Sequence, residues 1–335
     1  MRIFVIMTVR DEGDIIAETL QAFLEWADEI FVYDNGSLDN TWEIIQEIVC
    51  QNKGRITARR EDVLFSDSIR GYVFALVRKR LTDGDWVCMA DADEIYHISP
   101  RVFLATQCEP HEQVVFMQYY NFLFTTDHLQ LWLSGKAGLP DRVKHLSERF
   151  RHYLVGSHLG EPRLFRYRSS MRWLVNEGTP RDAGIIAKKK IPVRHYPFRD
   201  PPQLIRRATL RKLMLTNELE PQKRLDSHWN LHWFDNITPT DSKGVQYWQP
   251  GTYLPLVQMN NHLRPPDSTK EKITQLLHYF NLIILKDMTR RQPDLALLRP
   301  SPMSEQFKTR LVEDLRKEVD WRDELPPHLM SSELR

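Results

Sequence analysis

The chain has 335 residues, of which 41% are hydrophobic and 27% are charged, a composition typical of globular proteins. Its 46 lysines and arginines almost balance its 45 aspartates and glutamates, so the net charge of +1 gives no general case for nucleic-acid binding. No apolar run approaches the roughly 20 residues that a membrane-spanning helix needs, and we expect no transmembrane segment.

The three cysteines, Cys50, Cys88 and Cys108, lack the spacing of a metal site. So sparse and odd a number is typical of a reducing compartment, and we expect a cytoplasmic protein. A peripheral contact with the cytoplasmic face of a membrane stays open, because residues 273–285 have the pattern of an apolar helix. Packing of that helix in a core is the alternative interpretation.

The first hundred residues alternate strand and helix patterns. Strands are predicted at residues 3–8, 30–33 and 56–58 and in a run ending at residue 91, with helices at residues 14–26, about 40–51 and 68–80. Such alternation predicts a parallel sheet covered by helices.

The pattern changes after Asp93. Strands are predicted at residues 114–124, 162–175 and 191–198, followed by a helix at residues 203–215. From about Glu220 the chain is richer in Trp, His and Pro. We therefore predict one domain over residues 1–219 and a C-terminal extension over residues 220–335.

Three acids fall within four residues at the end of the fourth strand: Asp91, Asp93 and Glu94. Carboxylates this close repel one another unless a cation shares the space, and oxygen ligands suit Mg²⁺ or Mn²⁺. An ion with so few protein ligands completes its shell with water and substrate phosphates, which favours a nucleotide-diphosphate substrate. An acidic turn at the protein surface is the alternative interpretation.

A second polar strand end lies upstream, where residues 29–33 run into Asp34 and Asn35. Ligands of an open parallel α/β sheet bind at the carboxyl ends of its strands, so Asp34 and Asp91 are expected to converge on one crevice. Residues 141–172 carry eight lysines and arginines against three acids, a local balance of about +5. That segment could face an anionic substrate, or it could be a solvated basic surface.

Three motifs in order carry a resemblance to a known family. They are residues 8–12 (TVRDE), 33–41 (YDNGSLDNT) and 85–94 (DWVCMADADE). Over about residues 1–200 the chain looks like the nucleotide-sugar-dependent glycosyltransferases with the GT-A fold, specifically the family-2-like group. The resemblance implies an α/β fold with a mostly parallel central sheet flanked by helices, and a mainly helical C-terminal extension.

The resemblance also implies roles for the domains and for the donor site. Residues 1–100 would form the nucleotide-binding half and residues 101–219 the acceptor and metal half, with residues 220–335 available to an acceptor or partner. By similarity to the DxD motif of the family, Asp93 would bind Mn²⁺ or Mg²⁺, while Asp91 would contact the ribose, a metal-bound water or the metal. Further donor-site residues are Thr8, Arg10, Glu12, Asp34, Asn35 and Arg70. For Arg70, near the diphosphate in related enzymes, a solvent-facing position on a helix is the alternative.

A base for the acceptor hydroxyl is expected at Glu177, which resembles the carboxylate that follows an Arg-Leu-Phe strand in many of these enzymes. Many relatives have His before this carboxylate, whereas this chain has Asn176, and Asp182 is the second candidate. His195 resembles a histidine that some GT-A enzymes use as an additional metal ligand; a structural histidine is the alternative. Tyr196 and Arg199 are expected to flank the site.

Aromatic residues in the C-terminal region offer flat faces for sugar rings, although core packing is the more common use of such residues. They are Trp229, Trp233, Tyr247 and Trp248.

Other readings of the acidic strand end fit less well. An Asp-based phosphatase usually has Thr or Val two residues beyond its second Asp, where this chain has Ile95. A sugar nucleotidylyltransferase should have a Gly-rich, basic loop after its first strand, but residues 8–13 hold one Gly and two acids. We therefore expect an enzyme that transfers a sugar from a nucleotide sugar to a saccharide, glycolipid or glycoprotein, as in polysaccharide biosynthesis. We expect this transfer to depend on a metal ion and to invert the configuration at the anomeric carbon. A nucleotide-sugar-binding scaffold without turnover is the non-enzyme alternative.

Overall fold

The structure, a computed structural model, describes residues 1–63, 68–156, 160–173, 178–180, 183–216, 232–259, 300–316 and 320–330. Two compact units interleave along the chain. The first comprises Met1–Tyr120, Gly156–His195 and Tyr253–Pro302, and the second Asn121–Val155, Tyr196–Thr252 and Met303–Arg335. The domain boundary predicted between residues 219 and 220 stays a prediction.

Strands and helices alternate in the first part of the chain, as the sequence predicts. The strands are β1 (Ile3–Val9), β2 (Glu29–Asp34), β3 (Ile56–Arg60), β4 (Trp86–Asp91), β5 (Glu94–Tyr96), β6 (Val114–Phe122), β7 (His152–Val155), β8 (Pro162–Arg166), β9 (Lys189–His195), β10 (Gln246–Tyr247) and β11 (Val257–Gln258). The α-helices are α1 (Ile16–Leu24), α2 (Thr41–Gln51), α3 (Ser68–Val77), α4 (Pro100–Thr106), α5 (Thr126–Leu133), α6 (Leu146–Arg149), α7 (Pro201–Thr216), α8 (Glu305–Arg316) and α9 (Pro327–Met330). Short 3₁₀ helices cover Arg78–Arg80, Leu139–Val143 and Trp233–Asn236.

The sheet of the first unit is built on β1, whose neighbours β2 and β4 both run parallel to it. Strand β3 extends the parallel ladder beyond β2, and β8 pairs antiparallel with β4 on the other side. Strand β6 follows β8 in antiparallel pairing, and β9 pairs antiparallel with β5 and β11. The predicted α/β fold class, with a central sheet flanked by helices, is thus confirmed, but the sheet is mixed: strands β3, β2, β1 and β4 are parallel, and the strands beyond them pair antiparallel.

Burial explains why β1 sits at the centre. Its residues Ile3, Val5 and Met7 are fully buried on one face of the sheet. Phe4 and Ile6, which point to the opposite face, are almost fully buried as well. A strand covered on both faces reads as a continuous apolar run. On one side α1 packs through Ile16, Leu20 and Phe23, which recur at helical spacing. Helix α3 contributes Ile69, Val73, Phe74 and Val77 to a buried cluster with Val87 and Met89 of β4.

One predicted strand is shorter in the structure. Strand β8 ends at Arg166, whereas the alternating pattern predicts a strand through residue 175. The chain turns after it because the carboxylate of Asp83 accepts a hydrogen bond from the Ser169 backbone N–H at 2.7 Å. A side chain that competes for a backbone donor in this way offers the chain an alternative to the sheet ladder.

The second unit places the predicted C-terminal aromatic residues in different settings. Trp233 and Trp248 are buried, and Trp233 packs edge-on against Trp321, so these two follow the core interpretation. Tyr247 is 64% exposed, and Trp229 lies outside the described residues. The expected flanking residues Tyr196 and Arg199 are buried in this unit, where the guanidinium of Arg199 donates to the backbone carbonyl of Tyr196.

None of the helices that the structure describes is both long enough and apolar enough to cross a lipid bilayer. The apolar stretch at residues 273–285, considered above as a surface helix, lies outside the described residues.

Candidate active site

The carboxyl ends of three neighbouring strands meet at one edge of the sheet. Thr8 of β1 is in register with Asp91 of β4, and Val9 is in register with Asp34 of β2. The two acidic strand ends therefore lie at the same level on either side of β1. This juxtaposition is the one expected for a ligand crevice in an α/β sheet.

Two arginines hold the carboxylate of Asp91. Arg70 Nη2 donates to Asp91 Oδ1 at 3.0 Å and Oδ2 at 2.8 Å, and Arg163 Nη2 donates to Oδ2 at 2.7 Å. Burial favours the neutral acid, but the two guanidiniums outweigh it and hold the pKa of Asp91 below its usual value. Arg70 thus faces the site rather than bulk solvent, and Asp91 carries its charge as part of an ion-paired group.

Glu94 is buried beside Asp91, with 1% of its surface exposed. Its Oε1 accepts hydrogen bonds from Arg163 Nη2 at 2.6 Å and from the Tyr119 hydroxyl at 2.8 Å. Burial raises the pKa of the Glu94 carboxyl to about 7, against the opposing charge of Arg163. Glu94 is therefore a buried acid inside the site that Arg163 and Tyr119 hold by hydrogen bonds.

Replacing Glu94 with glutamine is expected to flatten the pH dependence of stability in the metal-free protein. Because the pKa of Glu94 is raised from 4.5 to about 7, the native state binds this proton more readily than the unfolded chain. The resulting stabilisation is complete below the unfolded pKa and is lost as the pH rises through 7. Thermal melts in EDTA at about pH 5 to 8.5 should show wild type losing stability relative to Glu94→Gln; parallel profiles would contradict the assignment.

Asp93 and His195 form the other half of the acidic strand end. His195 Nε2 lies 3.6 Å from Asp93 Oδ2, and the side chains are 21% and 7% exposed. Pairing of β5 with β9 sets this distance, since Glu94 and His195 are cross-strand partners. The ring of Tyr119 packs against His195 with centroids 4.7 Å apart. One carboxylate and one imidazole thus face each other across a gap that an ion can bridge.

The loop between β4 and β5 is fixed from below by helix α1. The buried hydroxyl of Thr19 donates to the backbone carbonyl of Ala92 at 2.6 Å. This contact joins the first helix to the residue between Asp91 and Asp93. The position of the motif is therefore set by three separate elements: α1, α3 through Arg70, and β8 through Arg163.

The loops after β1 and β2 bind each other through backbone and side-chain hydrogen bonds. Asp11 adopts a left-handed conformation (φ 54°), and its Oδ1 accepts from the Leu38 and Asp39 N–H groups at 2.6 and 3.2 Å. The backbone N–H of Glu12 donates to Thr41 Oγ1 at 2.8 Å, and Arg10 Nη1 donates to the carbonyl of Asn35 at 3.3 Å. A left-handed conformation is strained for a non-glycine residue such as Asp11. It persists here because the surrounding hydrogen bonds hold the loop in one shape.

Asp34 and Asn35 each hold one buried side-chain atom without a partner among the described residues. Asp34 Oδ1 accepts from the N–H groups of Gly36 and Ser37 at 2.8 and 2.7 Å, whereas Oδ2 has no hydrogen bond. Asn35 Nδ2 is likewise without a hydrogen bond. Burial raises the pKa of Asp34. A buried acceptor and a buried donor without hydrogen bonds, on consecutive residues, are a cost in a folded protein that a bound ligand would offset.

Several predicted residues fall outside the part of the chain that the structure describes. They are the expected base Glu177, its neighbour Asn176 and the second candidate Asp182. Gly178 is described: a Cβ placed on it would lie 3.7 Å from Arg70 Nη1.

Sequence reasoning did not identify Arg163, Tyr119, Thr19 or Asp11. Arg163 stood within the basic segment considered for binding an anionic substrate, yet its guanidinium contacts the protein's own carboxylates. The signal available in the sequence was its place on a strand beside Leu164 and Phe165, since a buried Arg must be paired.

A family model matches the segment of the chain that contains most of these residues. Residues 4–153 match the family model of glycosyl transferase family 2. No curated protein matches the chain at a significant level.

Three solved structures illustrate the wider similarity. TarS 1-349 of S. aureus in complex with UDP is 13% identical, with a TM-score of 0.34 over 66% of this chain and 67% of that chain. Glucosyl-3-phosphoglycerate synthase from Mycobacterium tuberculosis in complex with phosphoglyceric acid is 15% identical, with a TM-score of 0.27 over 49% of this chain and 56% of that chain. GalNAc-T7 with UDP, GalNAc and Mn²⁺ is 11% identical, with a TM-score of 0.33 over 71% of this chain and 55% of that chain.

Identities and TM-scores this low carry no argument about function, so the assignment rests on the family model. The matched segment contains β1 to β6, the loop with Asp34 and Asn35, and the acids from Asp91 to Glu94. Over residues 4–153 the chain is therefore similar to glycosyl transferase family 2, in agreement with the GT-A type α/β fold class that the sequence predicts.

Proposed function

We propose that this protein transfers a sugar from a nucleotide-diphospho-sugar to a saccharide or glycoconjugate acceptor, with a divalent cation and with inversion at the anomeric carbon. The observation that carries the proposal is the pairing of Asp93 with His195 at a strand edge shared with the unused polar atoms of Asp34 and Asn35. One end of this edge suits a cation and the other suits a nucleobase.

The residues present fit Mn²⁺ or Mg²⁺. Asp93 and His195 would hold the ion, since carboxylate oxygen and neutral imidazole nitrogen both ligate Mn²⁺. Among the described residues no three His, Cys, Asp or Glu side chains form a metal group by themselves, so water and donor phosphates would complete the shell. When bound, the ion neutralises charge on the departing diphosphate. Asp91, already engaged by Arg70 and Arg163, is better placed to orient the ribose or an ion-bound water.

The nucleoside would lie against the loops after β1 and β2. Asp34 Oδ2 accepts and Asn35 Nδ2 donates, which matches the neighbouring N–H and carbonyl of a uracil edge. Cytosine has an acceptor and an amino donor at the same positions. Its acceptor would face the acceptor of Asp34, and its amino group would face the donor of Asn35. A uridine diphosphate donor is therefore the choice that this pair of atoms supports.

Replacing Asp34 with asparagine is expected to weaken UDP binding by roughly 10- to 100-fold, the value of a hydrogen bond to a charged group. The amide keeps an oxygen for Gly36 and Ser37 but turns a donor toward the base, so the preference for UDP over CDP should fall or reverse. Calorimetric titration of both nucleotides measures the ratio, and CDP serves as the internal control for folding. An unchanged UDP-to-CDP ratio would contradict the base-recognition role.

The acceptor hydroxyl needs a base, and Glu177 is the proposed group, with Asp182 second. Arg70 would stay near the diphosphate, where a planar guanidinium fork suits phosphate oxygens.

A panel of sugar nucleotides tests the whole proposal. Thermal-shift measurements with Mn²⁺ or Mg²⁺ identify the donor, and donor hydrolysis is then followed with and without EDTA. We expect stabilisation by a UDP-sugar that requires the ion, and hydrolysis that EDTA stops. Ion-dependent binding without hydrolysis or transfer to any acceptor would indicate a binding protein instead.

A further inference from the structure

Arg163 contacts much of the acidic cluster through one terminal nitrogen. Its Nη2 donates to Asp91 Oδ2 at 2.7 Å, to Glu94 Oε1 at 2.6 Å and to Tyr119 Oη at 3.0 Å. Glu161 Oε2 lies 3.4 Å from the same atom. Only 2% of the Arg163 side chain is exposed. A guanidinium buried to this degree is retained when carboxylates surround it, and its removal leaves those carboxylates unpaired.

The two carboxylates that Arg163 joins lie on either side of Asp93. Asp91 is the last residue of β4 and Glu94 the first of β5, so Arg163 ties together the two ends of the loop that carries Asp93. The backbone in between is held at Ala92 by Thr19. These contacts restrict the direction in which Asp93 can present its carboxylate.

The net charge of the side chains around Asp93 also supports a role for Arg163 beside a divalent cation. Four carboxylates and two guanidiniums leave two negative charges when all are ionised, which one divalent cation balances. These groups belong to Asp91, Asp93, Glu94, Glu161, Arg70 and Arg163. Without Arg163 the excess would be three negative charges, and the buried carboxylate of Glu94 would lose its guanidinium partner.

We propose that Arg163 is a positioning residue: it engages Asp91 and Glu94, fixes both ends of the loop between them, and so holds Asp93 opposite His195 with its carboxylate presented to the cation. Arg163 acts through Asp93 and touches neither the ion nor the donor. The inference rests on the proposed function, because it assigns the part that Arg163 plays in the ion-dependent reaction.

Lysine at this position keeps the charge but carries it on a flexible stem in place of the rigid, planar guanidinium, so Arg163→Lys separates positioning from simple charge balance. Partners that orient metal ligands typically account for 10- to 100-fold in metal affinity or activity. We therefore expect Arg163→Lys to bind Mn²⁺ about 10- to 100-fold more weakly in the presence of UDP, measured by the electron paramagnetic resonance of free Mn²⁺. The kcat for donor hydrolysis should fall by a similar factor, with the KM at saturating Mn²⁺ nearly unchanged.

Arg166→Lys is the matched control. Arg166 lies on the same strand, in register with Trp86 at the opposite end of β4 from Asp91, and its guanidinium donates to the backbone carbonyl of Pro110. This substitution should leave Mn²⁺ affinity and kcat within about twofold of wild type, since Arg166 is only partly buried and contacts none of the acids at the other end of β4.

Tyr119→Phe tests the same network if Arg163→Lys does not fold. It removes the hydroxyl that donates to Glu94 and accepts from Arg163 while leaving the ring on His195. We expect a smaller loss of Mn²⁺ affinity, roughly threefold to tenfold, the value of one hydrogen bond.

Three results would overturn the proposal. One is a folded Arg163→Lys protein whose Mn²⁺ affinity and kcat equal those of Arg166→Lys. Another is loss of folding in both Arg163→Lys and Tyr119→Phe, which would indicate a purely structural role. A wild-type protein that binds no Mn²⁺ with any nucleotide diphosphate would instead overturn the proposed function, and this inference with it.

Discussion

Asp93→Ala is expected to abolish ion-dependent donor hydrolysis, lowering kcat by about 10³-fold, because stabilisation by a bound cation is worth several kcal/mol in a transition state. Asp93 is nearly buried, and its oxygen faces His195 at 3.6 Å. Removing the carboxylate leaves the imidazole as the sole member of the proposed ligand pair. Mn²⁺ titrations in the presence of UDP should show the loss of binding directly.

The control for this variant is Asp127→Ala, since Asp127 is an exposed acid in the first turn of α5 and belongs to the second unit. It should keep wild-type hydrolysis and Mn²⁺ affinity. Asp93→Asn adds a finer comparison, because it keeps the shape of the side chain and removes only the charge. Full ion-dependent activity in the folded Asp93→Ala protein would remove Asp93 as the cation ligand.

Glu177→Gln is expected to keep donor binding and to lose transfer, lowering kcat by about 10²- to 10⁴-fold, the usual contribution of a general base. The amide is isosteric with the carboxylate but cannot accept the acceptor proton. Glu177 lies outside the described residues, and the prediction rests on its similarity to the family's carboxylate and on the position of Gly178, where an added Cβ would lie 3.7 Å from Arg70 Nη1.

Two measurements separate the outcomes for Glu177. Titration with UDP should give wild-type affinity in the variant, while product formation with an active acceptor reports the loss of transfer. Asp182→Asn, made in parallel, tests the second candidate and should be active if Glu177 is the base. The reverse pattern, with Glu177→Gln active and Asp182→Asn inactive, would move the role to Asp182.

The fold of the first unit could be read from the sequence because its signals are local. Alternating apolar runs and amphipathic stretches up to Asp91 follow from the periods of strands and helices, and four predicted strands are present as β1 to β4. The end of β8 could not be read in this way. It depends on Asp83, a residue 86 positions from the Ser169 N–H that it binds.

Some features of the candidate site follow from the sequence, and others depend on the tertiary structure. Strand-end acids follow from a motif and from the rule that the carboxyl ends of parallel strands share an edge, so Asp34 and Asp91 could be placed together in advance. The distinct environments of Asp91, Asp93 and Glu94 could not, because each depends on side chains from distant elements. Arg70, Arg163 and Tyr119 come from a helix and two strands that no local pattern joins to the motif.

The sequence by itself determined the fold class, the order of the strands and helices around the motifs, and the presence of three acids at the end of one strand. Only the tertiary structure decided how those acids differ. Hydrophobic periodicity is a property of neighbouring residues, whereas the charge state of a buried carboxylate depends on every group packed around it. Arg163 shows the difference: one buried guanidinium, from a strand outside the motif, holds Asp91 and Glu94 and leaves Asp93 facing His195.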